Sequence, residues 1–319
     1  MKIVDFTMEW VSQAQKLLAQ NYAEERAAVD CLPAIAEMPD LREFAENGMG
    51  VAAVENGRLL GYLCGYRPFR PVYCTPDVAG VWSPLHAHGA QKENRVAVYR
   101  RMYQAAGEKW ADAGAASHAV TLFAHDAQAR EAFFMYGFGA RCIDLMRRVE
   151  EKPIPETETG LAFAELPAGR SGELRHLRKA LAEHLAASPC FMKQREEEVN
   201  HWLDEREKEP PRLFAALRNG APVGYLEIVP HGQNGENFIS RKKEVWNICG
   251  AYCAPEERGG KVAAGLLRFL ESTLAREGAA LLGVDCETIN PTALGFWPKH
   301  FSMYTLSVVR RIDENRLLL

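Results

Sequence analysis

Apolar and polar positions follow a definite order through the second half of the chain. The run LAFAEL at 161–166 reads as a strand. An amphipathic helix is predicted over about 172–187, followed by a more heavily charged helix over about 193–207. Apolar runs at 213–217 and 222–229 flank Asn219-Gly220, a dipeptide suited to closing a two-residue hairpin. Residues 245–253 read as the next strand. Beyond it Val262, Leu266, Leu267, Leu270 and Leu274 recur on one helical face, and Gly278 ends that helix. The run LLGVDCE at 281–287 reads as a strand, Asn290-Pro291 opens a short helix, and a final strand pair starts near 302. The predicted order is β-α-α-β-β-β-α-β-α-β-β, an α/β chain of the α+β kind.

The first half repeats parts of this pattern. Ala52-Ala53-Val54-Glu55-Asn56-Gly57 leads to Gly61-Tyr62-Leu63, as Ala215-Ala216-Leu217-Arg218-Asn219-Gly220 leads to Gly224-Tyr225-Leu226. The offset is 163 (215 − 52 and 225 − 62). The same offset sets Phe133-Phe134 on Phe296-Trp297, Phe138 on Phe301, Met146-Arg147-Arg148-Val149 on Val309-Arg310-Arg311-Ile312, and Arg95 on Arg258. One Asn-Gly match is ordinary hairpin chemistry, but three separated matches in one register indicate a tandem duplication. The acidic, proline-containing EEKPIPETET at 150–159 reads as a linker. The expected organisation is a domain over 1–150, a linker over 151–159 and a domain over 160–319.

Length agrees with that division, because 319 residues suit two domains of about 150. A hydrophobic content of 47% with 25% charged residues is that of a globular protein. The 38 basic and 42 acidic residues leave a formal charge of −4, which argues against a broad nucleic-acid-binding surface. The eight cysteines are scattered with no C-x-x-C pair, so neither a zinc framework nor a disulfide scaffold is expected, and a cytoplasmic setting fits them. The N-terminal MKIVDFTMEWVSQAQ is unlike a signal peptide, and no apolar run approaches a membrane span.

Candidate chemistry centres on CAPEERGGKVAAGLL at 253–267. It matches neither the Walker pattern nor the dinucleotide fingerprint. A strand, a glycine turn and a helix start still make an anion site, because the first helical amides lack intrahelical partners and the helix dipole favours negative charge there. Gly259 and Gly260 permit close approach, Ala263 and Ala264 keep the first turn small, and Arg258 and Lys261 add positive charge.

With that turn in this element order, the sequence resembles the GNAT superfamily of acyl-CoA-dependent N-acyltransferases. The family's loop reads roughly [QR]-x-x-G-x-[GA], with a proline often before it and paired leucines after it. Pro255, Arg258, Gly259, Val262, Ala263, Leu266 and Leu267 take those places. Lys261 stands where glycine is usual. The later motif N-x-x-A-x-x-[FL]-Y is met by Asn290, Ala293 and Phe296, with Trp297 in place of tyrosine. The resemblance covers residues 160–319 and recurs less clearly before them. It implies two tandem GNAT-like domains, each a mixed, mainly antiparallel sheet flanked by helices, the first one degenerate.

The resemblance further implies acetyl-CoA or a related acyl-CoA as co-substrate, its diphosphate on the amides of 259–264 and its pantetheine arm beside Ala251, Tyr252 and Cys253. Asn290 and Trp297 are expected near it. The implied reaction is direct acyl transfer to a primary amine on a small molecule or a peptide. Asp285 holds the place, five residues ahead of Asn290, where some members carry the base; Glu287 on the same strand face and Glu227 on the hairpin are alternatives. Trp297 cannot act as an acid, which leaves Tyr304, Tyr252 or water for the departing thiolate. In the first half Val96-Ala97-Val98 replaces the glycines, so that half is expected not to bind CoA in the usual way. His86 and His88 form an H-x-H pair without a recognisable third ligand, and no metal is expected. Cys249 and Cys253 read as small hydrophobes rather than acyl carriers. The rivals are a non-catalytic acyl-CoA-binding or sensor protein and a module that presents an interaction surface.

Overall fold

The structure, a computed structural model, describes residues 1–73, 77–154, 159–230, 237–243 and 245–313. In chain order its elements are β1 (Lys2–Asp5), α1 (Met8–Ala28), α2 (Arg42–Glu46), β2 (Val51–Glu55), β3 (Arg58–Leu63), β4 (Gly80–Ser83), β5 (His88–Ala90), α3 (Arg95–Asp112), β6 (Ser117–Phe123), α4 (Ala127–Phe134) and β7 (Gly139–Arg148). Then come β8 (Leu161–Leu166), α5 (Arg175–Ala186), α6 (Glu196–Lys208), β9 (Arg212–Arg218), β10 (Ala221–Pro230), β11 (Val245–Cys253), α7 (Val262–Arg276), β12 (Leu281–Glu287), α8 (Pro291–Phe296), β13 (Ser302–Met303) and β14 (Thr305–Arg311). Part of the expected linker, 155–158, lies outside the described residues.

The chain divides into two compact units. One comprises Met1–Leu145, Asn237–Ile239 and Ser302–Leu319; the other comprises Met146–Glu236 and Ser240–Phe301. The sequence pattern groups the strands after 302 with the second half, whereas their contacts place them in the first unit. Sheet pairing accounts for this. Strand β14 runs antiparallel to β6, from Thr305 opposite Phe123 to Arg311 opposite Ser117, and also pairs with β7.

In the first unit β1, β2, β3 and β5 form one antiparallel sheet, and β4, β6, β14 and β7 lie side by side in that order. The hairpin of β2 and β3 turns at Asn56 and Gly57 with φ of 50° and 75°. The hairpin of β9 and β10 turns at Asn219 and Gly220 with φ of 50° and 86°. Both central residues of each turn are left-handed, as a type I′ turn requires, so the Asn-Gly signal specified both.

In the second unit β8, β9, β10 and β11 are antiparallel neighbours, and β12 adds parallel to β11. A 3₁₀ segment at Ala168–Leu174 with α5 covers one face, where Leu174, Leu177, Leu213, Ala215 and Tyr225 form a core. Helix α7 buries Val262, Leu266, Leu267, Leu270 and Leu274, the face the sequence marks. Each such side chain contributes about 1.5–3 kcal/mol on burial. Gly265 permits close packing there, because a Cβ on it would meet the Phe163 ring at 2.5 Å. Among the described residues no helix is long and apolar enough to cross a membrane.

Candidate functional site

The site in the second unit begins with two strands that part. Parallel pairing of β11 with β12 runs from Val245 opposite Leu281 to Ile248 opposite Val284. Pairing of β11 with β10 continues to Cys253 opposite Gly224. One edge of Gly250–Cys253 therefore keeps a strand neighbour while, among the described residues, no strand pairs along the other, leaving main-chain groups to bond a ligand as a further strand would. The parting coincides with a bulge. Gly250 faces Glu227 and Ile248 faces Ile228, so Cys249 is the extra residue that bends β11.

The chain leaves β11 through a 3₁₀ turn at Pro255–Glu257 and enters α7. Gly259 has φ of 76°, and space around its would-be Cβ is open to 4 Å; around Gly260 the nearest atom is the Glu257 carbonyl at 3.7 Å. A diphosphate-sized anion can approach this backbone closely. Gly265 N–H donates to Lys261 O at 2.8 Å, and by helix geometry the amides before it find no intrahelical carbonyl. Lys261, which stands where the family pattern has glycine, sits at φ −90° and ψ −4°, a conformation open to any residue. The turn is fastened by Arg218, which grips Glu257 through Nε at 2.8 Å and Nη2 at 2.6 Å and holds that carboxyl below the usual range.

Strand end, turn and helix start enclose one cleft of about 580 Å³. Ala251, Tyr252, Cys253, Arg258, Gly259, Gly260, Val262, Ala263, Ala264, Asn290 and Trp297 all line it, and Lys261 caps the adjoining helix. Arg258 is turned partly to structural use. Its Nε donates to Cys253 O at 2.9 Å and its guanidinium lies over the Tyr252 ring at 5.1 Å. Cys253 has its thiol pushed up to about 11, chiefly by burial, so it carries little thiolate for nucleophilic work.

Asn290 caps α8 through its side chain. Its Oδ1 accepts from Ala293 N–H at 3.3 Å and from Thr292 Oγ1 at 2.7 Å, and lies 3.2 Å from His184 Nε2. His184, Lys299 and His300 also line the cleft, and the sequence reading passed them over. His184 lies on an amphipathic helix more than a hundred residues before Asn290, so no local pattern announces it. Burial, then Arg147, Lys299 and Arg268, holds the His300 imidazole below its ordinary value.

Of the candidate acid–base residues Tyr252 lines the cleft, whereas Asp285, Glu287, Glu227 and Tyr304 do not. Glu227 is fully buried on β10, two residues after Tyr225, and paired with Arg178. Asp285 is exposed one residue beyond the last β11–β12 pair, and Glu287 is half-buried two residues on. Tyr304 belongs to the first unit, 1% exposed, where its hydroxyl accepts from Asn237 Nδ2 at 2.9 Å. Trp297, 6% exposed, packs against Phe296 and Phe301.

The first unit fills its own corresponding turn. Arg95, at the start of α3, is 3% exposed and points inward to Glu24 at 2.9 Å and Asp126 at 3.0 Å, with Nε donating to Ala90 O and Gln91 O. His88 has Nδ1 2.9 Å from Tyr99 OH and Nε2 2.7 Å from Thr121 O, so both ring nitrogens are engaged with protein groups. Burial lowers its pKa. Among the described residues no group of three or more His, Cys, Asp or Glu is placed to hold a metal ion.

Residues 178–303 match the acetyltransferase (GNAT) family. The fold is similar to that of a GCN5-related N-acetyltransferase from Sphaerobacter thermophilus, at TM-score 0.58 and 14% identity over 97% of this chain and 96% of that one. It is also similar to a GCN5-related glucosamine N-acetyltransferase region of a fungal multi-domain GH3 β-N-acetylglucosaminidase, at TM-score 0.52 and 12% identity over 97% of this chain and 38% of that one. A tandem GNAT protein from the clavulanic acid biosynthesis pathway aligns over 97% and 98% of the two chains at 14% identity and TM-score 0.49. No curated protein matches the sequence.

Proposed function

We propose that this chain, which carries a GNAT-family domain over residues 178–303, is an N-acetyltransferase that moves acetyl from acetyl-CoA directly to a primary amine. The observation that carries this reading is the meeting of the unpaired β11 edge with the open glycine turn at the start of α7. The residues present fit the group. A cleft of about 580 Å³ joins a free strand edge to a helix start where Gly259 and Gly260 leave room for a diphosphate. The amides of Gly259–Ala264 would hold the diphosphate and the edge of Ala251–Cys253 the pantetheine arm. A β11 amide near Ala251 or Tyr252 would polarise the thioester carbonyl.

The thioester supplies an activated acyl carbon. The acceptor ammonium loses one proton to a base, and its nitrogen bonds to that carbon. The C–S bond breaks with its electron pair on sulfur, and the second proton leaves as amide and thiol form. Asp285, Glu287 and Glu227 are the candidate bases. The working cofactor site lies in the domain over 160–319, beyond the linker at 151–159, and the domain over 1–150 is a degenerate GNAT-like domain that does not bind CoA in the usual way. The acceptor is a small-molecule or peptide amine, the setting is cytoplasmic, and neither nucleic acid, membrane nor metal takes part.

Calorimetry of acetyl-CoA binding tests this reading. Gly260→Glu places a carboxylate against the diphosphate and is expected to remove measurable binding, whereas Ala97→Glu in the first unit leaves it intact. Equal loss in both variants, or no binding by the parent protein, refutes a single site in the second half. Because Trp297 offers no acidic proton where the family has tyrosine, binding without turnover of any amine would establish the sensor reading instead.

A further inference from the structure

We propose that the acceptor subsite lies at the β11 bulge, formed by Tyr225, Glu227 and Arg206, and that it selects an amine bearing a carboxylate next to its nitrogen, an α-amino acid. This rests on the acetyl-transfer reading above and names the acceptor class for that same site.

Three polar groups converge on the bulge with hydrogen-bonding capacity left unspent. Glu227 is fully buried, yet its two oxygens are used unequally. Arg178, also fully buried, gives both Nε at 2.7 Å and Nη2 at 2.6 Å to Oε1. Oε2 has no hydrogen-bond partner. It lies over Gly250, where a Cβ would meet it at 2.6 Å, so glycine beside the bulge is what leaves room for the carboxylate. Two positions back on the same strand face, Tyr225 lines the cofactor cleft, and its buried hydroxyl also has no partner. Native proteins pair nearly all their buried polar atoms, so two orphans on one strand face, the first of them in the cleft lining, mark a place completed by a ligand.

Arg206 supplies the third group. It reaches the bulge from α6 with its side chain 23% exposed, and its Nη1 is 4.0 Å from Glu227 Oε2 and 3.9 Å from Cys249 Sγ. Neither contact uses a guanidinium well, since carboxylate partners sit closer and often engage two N–H groups. The partly exposed arginine is therefore the entry side, and the buried carboxylate oxygen lies inside it. A cation and an anion 4.0 Å apart suit a ligand whose carboxylate and ammonium are one carbon apart. The carboxylate docks on Arg206, and the ammonium faces Glu227 Oε2, beside the backbone that positions the thioester. Glu227 takes the proton the ammonium must lose, and Arg178 acts as a positioning residue by holding Oε1.

The test is acetyl transfer from acetyl-CoA, read as thiol release, to the common L-amino acids, their carboxamides and the corresponding decarboxylated amines. Acetyl-CoA affinity is measured by calorimetry on the same preparations. The free acid should exceed its carboxamide roughly tenfold or more in kcat/KM, because an arginine built for a carboxylate is left unpaired by the amide. Arg206→Gln should erase most of that ratio through KM, and Arg206→Lys should keep part of it. A ratio near one in the parent protein, a ratio unmoved by Arg206→Gln, or no turnover of any amino acid by protein that binds acetyl-CoA overturns the inference and leaves the cofactor site standing. Failure to bind acetyl-CoA overturns the acetyl-transfer reading and this inference with it.

Discussion

Replacing Arg178 by methionine should be among the most damaging single changes in the second unit. Arg178 is fully buried and makes two contacts to Glu227 Oε1, at 2.7 and 2.6 Å. It also donates to Ser171 O and Ser171 Oγ, each at 3.0 Å. Methionine fills the volume but leaves the Glu227 charge buried without its principal partner. Breaking a buried pair in this way costs about 3–5 kcal/mol. Arg206, 4.0 Å from the other oxygen and partly exposed, offsets some of this, which sets the expectation near the lower end, about 3 kcal/mol. Glu227→Leu alone strands Arg178 by the same logic. The double replacement buries no charge there and should cost less than either single change, a coupling of about 2 kcal/mol or more. Urea denaturation of the four proteins, followed by fluorescence, closes the cycle. If Arg178→Met costs under about 1 kcal/mol, or the two singles simply add, Arg178 and Glu227 are not a buried, mutually dependent pair.

Two further outcomes follow from packing and from burial of charge. Gly265→Ala drives a Cβ to 2.5 Å from the Phe163 ring on the inner face of α7, and overpacking of this kind should lower stability by about 1–3 kcal/mol in spite of alanine's better helix propensity; a stabilised variant in the same denaturation assay would refute it. In the first unit burial lifts the Glu25 carboxyl above its ordinary value, opposed by its hydrogen bonds with His125. The folded state then holds this proton at pH values where the unfolded chain has released it, so stability falls as pH rises from the ordinary carboxylate range through the raised value. Glu25→Gln should flatten that slope in denaturation curves collected across mildly acidic to neutral pH, and an unchanged slope would assign the pH dependence elsewhere.

Local signals were legible where the backbone chemistry is local. Asn56-Gly57 and Asn219-Gly220 each specified a left-handed pair and a hairpin, and the leucine periodicity after 262 located the buried face of α7. The glycine turn located the cleft for the same reason, since positive φ at Gly259 and open space at Gly260 are properties of a few consecutive residues. What escaped depends on distant pairing. Nothing in residues 305–311 states that they will run beside β6, because a strand's alternation names a face and not a partner. His184 reaches Asn290 from another helix, and Arg178 and Arg206 reach Glu227 from helices whose charged residues otherwise read as solvent-facing. The expected helix over 172–187 is a 3₁₀ segment to Leu174 and an α-helix only from Arg175, a change of winding that side-chain periodicity barely registers.

The duplicated arginine shows how one register can serve two ends. Arg258 follows a strand, precedes two glycines and stays at the surface, spending one N–H on Cys253 O and its face on Tyr252. Arg95 precedes Val96 and Ala97, and turns into the protein to meet Glu24, Asp126 and two carbonyls. With glycine after it, the chain can take a left-handed step and expose its amides before the helix begins. With valine and alanine after it, the left-handed step falls on Asn94 instead, the helix starts at the arginine itself, and the positive charge that would greet an anion is consumed by the chain's own carboxylates. Placing two glycines at 96 and 97 would therefore not free the arginine, because Glu24 and Asp126 would still hold it inward. Those two acids, as much as the side chains at 96 and 97, set this turn apart from the one after Arg258.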